Sequence, residues 1–168
     1  MLKGHNRLLG TAGAVVAAGA IAVSGVAAAT AGTHPAVTGT ESFQIMSTSA
    51  TASTSSFLAH GTVFTAGGVD HPGNTTDTIT FSNGSFKVTH SKGTGTQSLN
   101  PKTCLLTISL KGTYTLGGGT GAYAKLSGSG TYKLSILAIA QKSGGVCSKT
   151  LPPSTFQQVI QASGPATL

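Results

Sequence analysis

Cys104, Leu106, Ile108, Leu110, Gly112, Tyr114 and Leu116 fall on alternate positions, with Thr107, Ser109, Lys111 and Thr113 between them. A period of two places this whole set on one face of an extended strand, whereas a helix would scatter it around its circumference. A strand that is apolar on one side and polar on the other needs partner strands for its backbone and a second layer for its apolar face. A further run repeats the pattern. Tyr132, Leu134, Ile136, Ala138 and Ala140 alternate with Lys133, Ser135 and Gln141, although Leu137 and Ile139 make both faces apolar there.

The rest of the chain from Glu41 onward reads the same way. Phe43 and Ile45 share a face opposite Ser42, Gln44 and Met46, and Phe57–Thr65 reads as a second strand. Gly67–Asn74 reads as a loop, punctuated by Gly and Pro. Thr78–Phe81 and Phe86–His90 flank Ser82-Asn83-Gly84-Ser85, where Asn-Gly predicts a tight hairpin because both residues accept positive φ. Ser91–Pro101 reads as a polar loop, and Phe156, Ile160 and Ala162 mark a last strand after Pro152-Pro153. No stretch beyond the leader carries a 3.6-residue stripe. The pattern predicts an all-β sandwich or barrel over residues 41–168, and the length suits a single antiparallel, lipocalin-like barrel of about eight strands, whose interior either fills with side chains or holds one small ligand.

Met1–Arg7 holds two positive charges, Lys3 and Arg7, and an uncharged run rich in Ala and Gly continues to Ala29. This order of segments predicts a Sec signal peptide over residues 1–31, cleaved after Ala31, then a flexible stretch over residues 32–40. The expected protein is therefore extracellular, with no stable membrane span after cleavage. Its acids are Glu41, Asp70 and Asp77, its lysines are scattered singly, and no Arg or Trp remains. Nucleic-acid binding wants clustered basic residues with aromatics to stack on bases, so no nucleic-acid partner is expected. Cys104 and Cys147 form an even pair in an exported chain and predict one disulfide. Closing a loop of about 40 residues contributes on the order of 3–4 kcal/mol in the chain-entropy account.

Gly117-Gly118-Gly119-Thr120-Gly121 invites comparison with a phosphate-binding loop. A dinucleotide fingerprint must open a helix, and this one runs through Lys125–Tyr132, a glycine-punctuated lead into a strand. Gly117, Gly118, Gly119 and Gly121 read instead as a structural turn at a barrel corner. The wider segment Gly112–Tyr132, with Gly-Gly-Thr-Gly-Ala-Tyr-Ala followed by Gly-Ser-Gly, resembles the signature of the allene oxide cyclase and dirigent barrel superfamily. Asn100–Thr107 and Ala162–Leu168 resemble the flanks of secreted actinobacterial proteins with such a domain. The resemblance implies an eight-stranded antiparallel barrel with an apolar cavity, often in homo-oligomers. Plant relatives use that cavity to cyclise an unsaturated epoxide or to steer radical coupling.

Groups able to transfer protons are few. His60, His90 and Glu41 are the candidates for a catalytic role, and none matches a position of the enzymes in that superfamily. Asp70-His71 reads as a solvated loop pair. No His-x-His or His-x-x-x-His spacing predicts a metal, and nothing predicts a cofactor. Leu106, Ile108, Leu110, Tyr114, Leu134 and Ile136 are expected to line a ligand cavity. Two functions follow: a secreted barrel that binds a small apolar molecule or serves a structural role, or a cyclase or isomerase acting in the same cavity.

Overall fold

The computed structural model describes residues 35–168; the signal peptide expected over residues 1–31 lies outside them. The described chain is all β. In order, the strands are β1 (Thr38–Ser47), β2 (Ser55–Gly61), β3 (Ala66–His71), β4 (Thr76–Phe81), β5 (Gly84–His90), β6 (Thr94–Leu99), β7 (Leu105–Gly121), β8 (Ser127–Ile139), the short pair β9 (Lys142–Ser143) and β10 (Val146–Cys147), and β11 (Thr155–Thr167). The sheet runs β5-β4-β3-β2-β1-β11-β8-β7, and β5 pairs back onto β7, so eight antiparallel strands close a barrel. No helix among the described residues is long and apolar enough to cross a membrane.

The long alternating run dominates the architecture. On one edge β7 pairs with β8 from Leu105↔Ile139 to Leu116↔Gly128. On its other edge it is shared: β5 takes the stretch from Tyr114 to Gly121, while β6 takes Leu106 to Lys111. The C-terminal part of β7 therefore closes the barrel, and its N-terminal part, with β6, β8 and β11, runs on past the rim. Alternation carried through the whole strand gives both parts an apolar inner face.

One end of the barrel is packed solid. Phe43, Phe57, Phe86, Tyr123 and Leu126 are buried there, with Phe64 and Phe81 packed against them. Ring contacts such as Phe81–Tyr123 at 4.6 Å and Phe64–Tyr123 at 5.3 Å link these rings into one cluster. The opposite end, where β1, β3 and β5 stop, remains open toward the projecting sheet.

Several local expectations are corrected. β1 begins at Thr38 rather than Glu41, paired with Thr167. Val69-Asp70-His71 belongs to β3, not to a loop: its glycines read as punctuation, yet its backbone is paired on both edges. Thr94–Leu99 is a strand within the expected polar loop. As an exposed edge strand it needs no apolar alternation, which is why the pattern missed it. The hairpin at Asn83-Gly84 exists, but the paired residues Phe81 and Gly84 leave Ser82-Asn83 as its tip. Only Gly84 takes positive φ there, at 152°. Gly117–Gly121 ends β7 and is not itself the turn, which follows from Ala122. Gly118 (φ 59°) and Gly121 (φ 57°) lie in the left-handed region beside the register shift between Ser85 and Lys87, where side chains would be strained.

Cys104 and Cys147 form the disulfide, with Cα atoms 5.4 Å apart. It fastens the β8–β11 connection to the start of β7, and the Ala140 N–H donates to the Cys104 carbonyl at 3.0 Å. Asn100 shapes the preceding turn, its Oδ1 accepting from the N–H groups of Lys102 and Thr103.

Candidate functional site

Charge is sorted by the barrel wall. The chain's three carboxylate side chains, Glu41, Asp70 and Asp77, are 0%, 2% and 8% exposed. Every lysine of the described chain is exposed. Alternation makes the sort: the acids stand at inward positions of β1, β3 and β4, and the lysines of the barrel strands, Lys87, Lys111 and Lys133, at outward ones.

One of the acids, Asp77, meets a histidine at the open end, and a second, Asp70, lies one strand behind it. Register sets the geometry: Asp70 pairs with Ile79, and Asp77 lies two residues before Ile79 on β4. Asp77 pairs with Val88, and His90 lies two residues beyond it on β5. Asp70, Asp77 and His90 therefore step diagonally across three neighbouring strands on the inner face. Asp77 Oδ1 accepts the Gly73 N–H at 2.8 Å and faces His90 Nε2 at 3.5 Å. His90 Nδ1 lies 3.4 Å from the Ser91 carbonyl, which also accepts the Tyr132 hydroxyl at 2.9 Å. The ring is thus held between two acceptors, edge-on to Tyr132. Asp70 Oδ1 is buried without a hydrogen-bond partner. Its burial, reinforced by the Asp77 charge and opposed by His90, pushes its pKa from 3.8 up to about 7.

Asp77 and His90 stand in the wall of an apolar cavity of about 100 Å³, otherwise lined chiefly by Phe43, Val88, Tyr114, Tyr132, Leu134 and Ile160. Asp70 sits one strand behind Asp77. Tyr132 is held over the site by a close approach: a Cβ on its cross-strand partner Gly112 would stand 2.5 Å from the Tyr132 ring.

The projecting sheet carries a second, largely apolar concavity of about 580 Å³, lined by Leu99, Leu106, Ile108, Ile136, Ala138 and Phe156, by the polar Gln97, Ser98, Ser148 and Lys149, and by Leu151 and Pro153 of the disulfide-held connection. The six residues expected to share one cavity are thus divided. Tyr114 and Leu134 line the barrel cavity, Leu106, Ile108 and Ile136 line the outer groove, and Leu110 lines neither. Leu134 and Ile136 are successive inward residues of β8, so the two apolar surfaces adjoin.

The catalytic candidates are separated as well. His90 is at the cavity. His60 is exposed on the outer face, beside Ser42, Gln44 and Lys133. Glu41 lies inside, toward the packed end, where its Oε2 accepts the N–H groups of Val63 at 3.1 Å and Phe64 at 3.3 Å. That contact satisfies the β2–β3 turn and gives Glu41 a structural task. Burial, with the Glu41 charge adding to it, pushes the Tyr114 hydroxyl up to about 12. Asp70 and Asp77 are the site residues that sequence reading missed. Asp70-His71 is corrected from a solvated pair to one buried carboxylate and one exposed imidazole. The available signal was inward alternation in Asp77-Thr78-Ile79, with Ile79 marking the inner face.

Among the described residues, no group of three or more His, Cys, Asp or Glu is arranged to hold a metal ion. Compared with models of known protein families, with curated proteins and with solved structures, the chain matches none of them.

Proposed function

We propose that this is a secreted β-barrel protein that binds a small apolar molecule at the open end of its barrel. The observation that carries the reading is the apolar cavity continuing onto the apolar groove, in a barrel whose other end is packed solid. A groove of about 580 Å³ is of the size that takes a small organic ligand, and the adjoining cavity of about 100 Å³ takes one end of it. Secretion is supported by the basic-then-apolar leader and by the disulfide. The resemblance of Gly112–Tyr132 to the allene oxide cyclase and dirigent signature agrees with a cavity-bearing barrel but supplies no residue of theirs.

The test is native mass spectrometry of the protein from its own culture medium, together with titration of N-phenylnaphthylamine fluorescence. A small apolar adduct released on denaturation, and saturable enhancement lost in Ile136→Asp, is the expected result. A bare mass with no enhancement would point to a structural or surface role.

A second reading is an isomerase or cyclase on the same barrel, favoured by Asp77 and His90 standing in an apolar wall. It requires turnover of an apolar substrate that stops in His90→Gln while the fold is kept.

A further inference from the structure

The apolar-binding reading leaves the buried acids unexplained. A carboxylate taken out of water is costly unless it is paired. Glu41 is used by the β2–β3 turn, and Asp77 by Gly73 and His90. Asp70 is 2% exposed, its Oδ1 has no partner, and no strand or turn depends on it. Its inward position, opposite Ile79, sends it toward the same interior as Asp77. Half-buried His90 thus faces Asp77, with Asp70 one strand behind, and among the described residues no lysine reaches the interior. The cavity reaches the cluster at Asp77 and His90, the two carboxyl groups outnumber the one histidine, and the wall beside them is hydrocarbon.

We propose that the barrel mouth is a site for a small lipophilic amine, with its ammonium group between Asp70 and Asp77 and its hydrocarbon along Leu134 and Ile160 toward the groove. This rests on the apolar-binding reading and names its ligand class. An ammonium group supplies donors that the unpartnered Asp70 oxygen lacks, and it brings its own apolar surface to match the wall. A bare inorganic cation would find too few ligands, since no metal-holding cluster is present among the described residues. On binding, the ammonium replaces the proton that Asp70 holds below pH 7, and that proton leaves to solvent. The charged groups facing Asp70 are Asp77 from β4 and His90 from β5.

Calorimetric titration of the secreted protein with hexylamine, 1-hexanol and hexanoate tests this. Hexylamine at pH 8 should bind at least about tenfold more tightly than 1-hexanol, with hexanoate weakest. At pH 6, buffers of different ionisation enthalpy should reveal proton release on hexylamine binding. In Asp77→Asn the amine preference should disappear while 1-hexanol still binds. Equal binding of hexylamine and 1-hexanol to the native protein would overturn the amine site and leave the apolar reading standing. Undiminished amine preference in Asp77→Asn would likewise overturn it. Binding of none of the three would overturn both readings. Should Asp77→Asn fail to fold, Asp70→Asn and the native three-ligand comparison still decide.

Discussion

Asp70 places a measurable demand on the fold. A rise from 3.8 to about 7 means that the folded protein holds a proton which the unfolded chain releases. Between those values the folded state binds more protons, so stability from this group falls as pH rises, and it levels off above about pH 7. The full difference is on the order of 4 kcal/mol. Asp70→Asn should therefore melt higher than the native protein at pH 8, with the gap closing toward pH 4; thermal melts across that range check it. Glu41, by contrast, supports the fold through its hydrogen bonds. Glu41→Ala would strand the N–H groups of Val63 and Phe64 in the interior, at a cost of roughly 2–4 kcal/mol in urea unfolding. The two residues are alike in sequence terms, each an isolated acid next to β-forming residues. Only the placement of backbone donors separates a structural carboxylate from an idle one.

At the scale of elements, the disulfide and the overrunning β7 act together. Cys104 is the one non-glycine residue of the described chain with positive φ, at 57°, and it directly precedes the strand that the connection from Ala140 to Ser154 leans on. Replacing both cysteines with serine should lower stability by about 3–4 kcal/mol and expose Gln141–Pro153 to proteases; denaturation and limited digestion measure the two effects. Gly112→Ala should push the Tyr132 ring off its partner and break the hydroxyl bond to Ser91. Its expected signature is an altered His90 imidazole resonance in NMR with the barrel otherwise intact. The long strands were legible because alternation over many residues has one geometric meaning. β3 and β6 were not, because a short strand rich in Gly or Thr is fixed by the neighbours whose backbone groups it pairs with.

For the whole molecule, the barrel is a cup, with rings filling one end and an unfilled cavity at the other. An apolar cavity of about 100 Å³ forgoes roughly 2 kcal/mol of packing. Ala162→Leu, which adds carbon into that space, should therefore raise the melting temperature by a few degrees and abolish binding of the fluorescent probe. A gain in stability with binding intact would place the ligand in the outer groove alone. The same cup separates charge, with the lysines of the described chain on the outer faces of the strands and in loops, and the acids inside.

Read alone, the sequence determined the all-β class, the antiparallel barrel, the disulfide pair and the inward faces of β1, β7 and β8. These follow from periodicity and cysteine count, which are local or nearly so. Tertiary structure alone decided that β7 divides between barrel and projecting sheet, that the expected cavity is two adjoining surfaces, and that Asp77 meets His90 with Asp70 one strand behind. Those facts depend on register between strands and on barrel closure. A diagonal alignment across three strands is set by hydrogen-bond pairing, and no single strand's residues encode it.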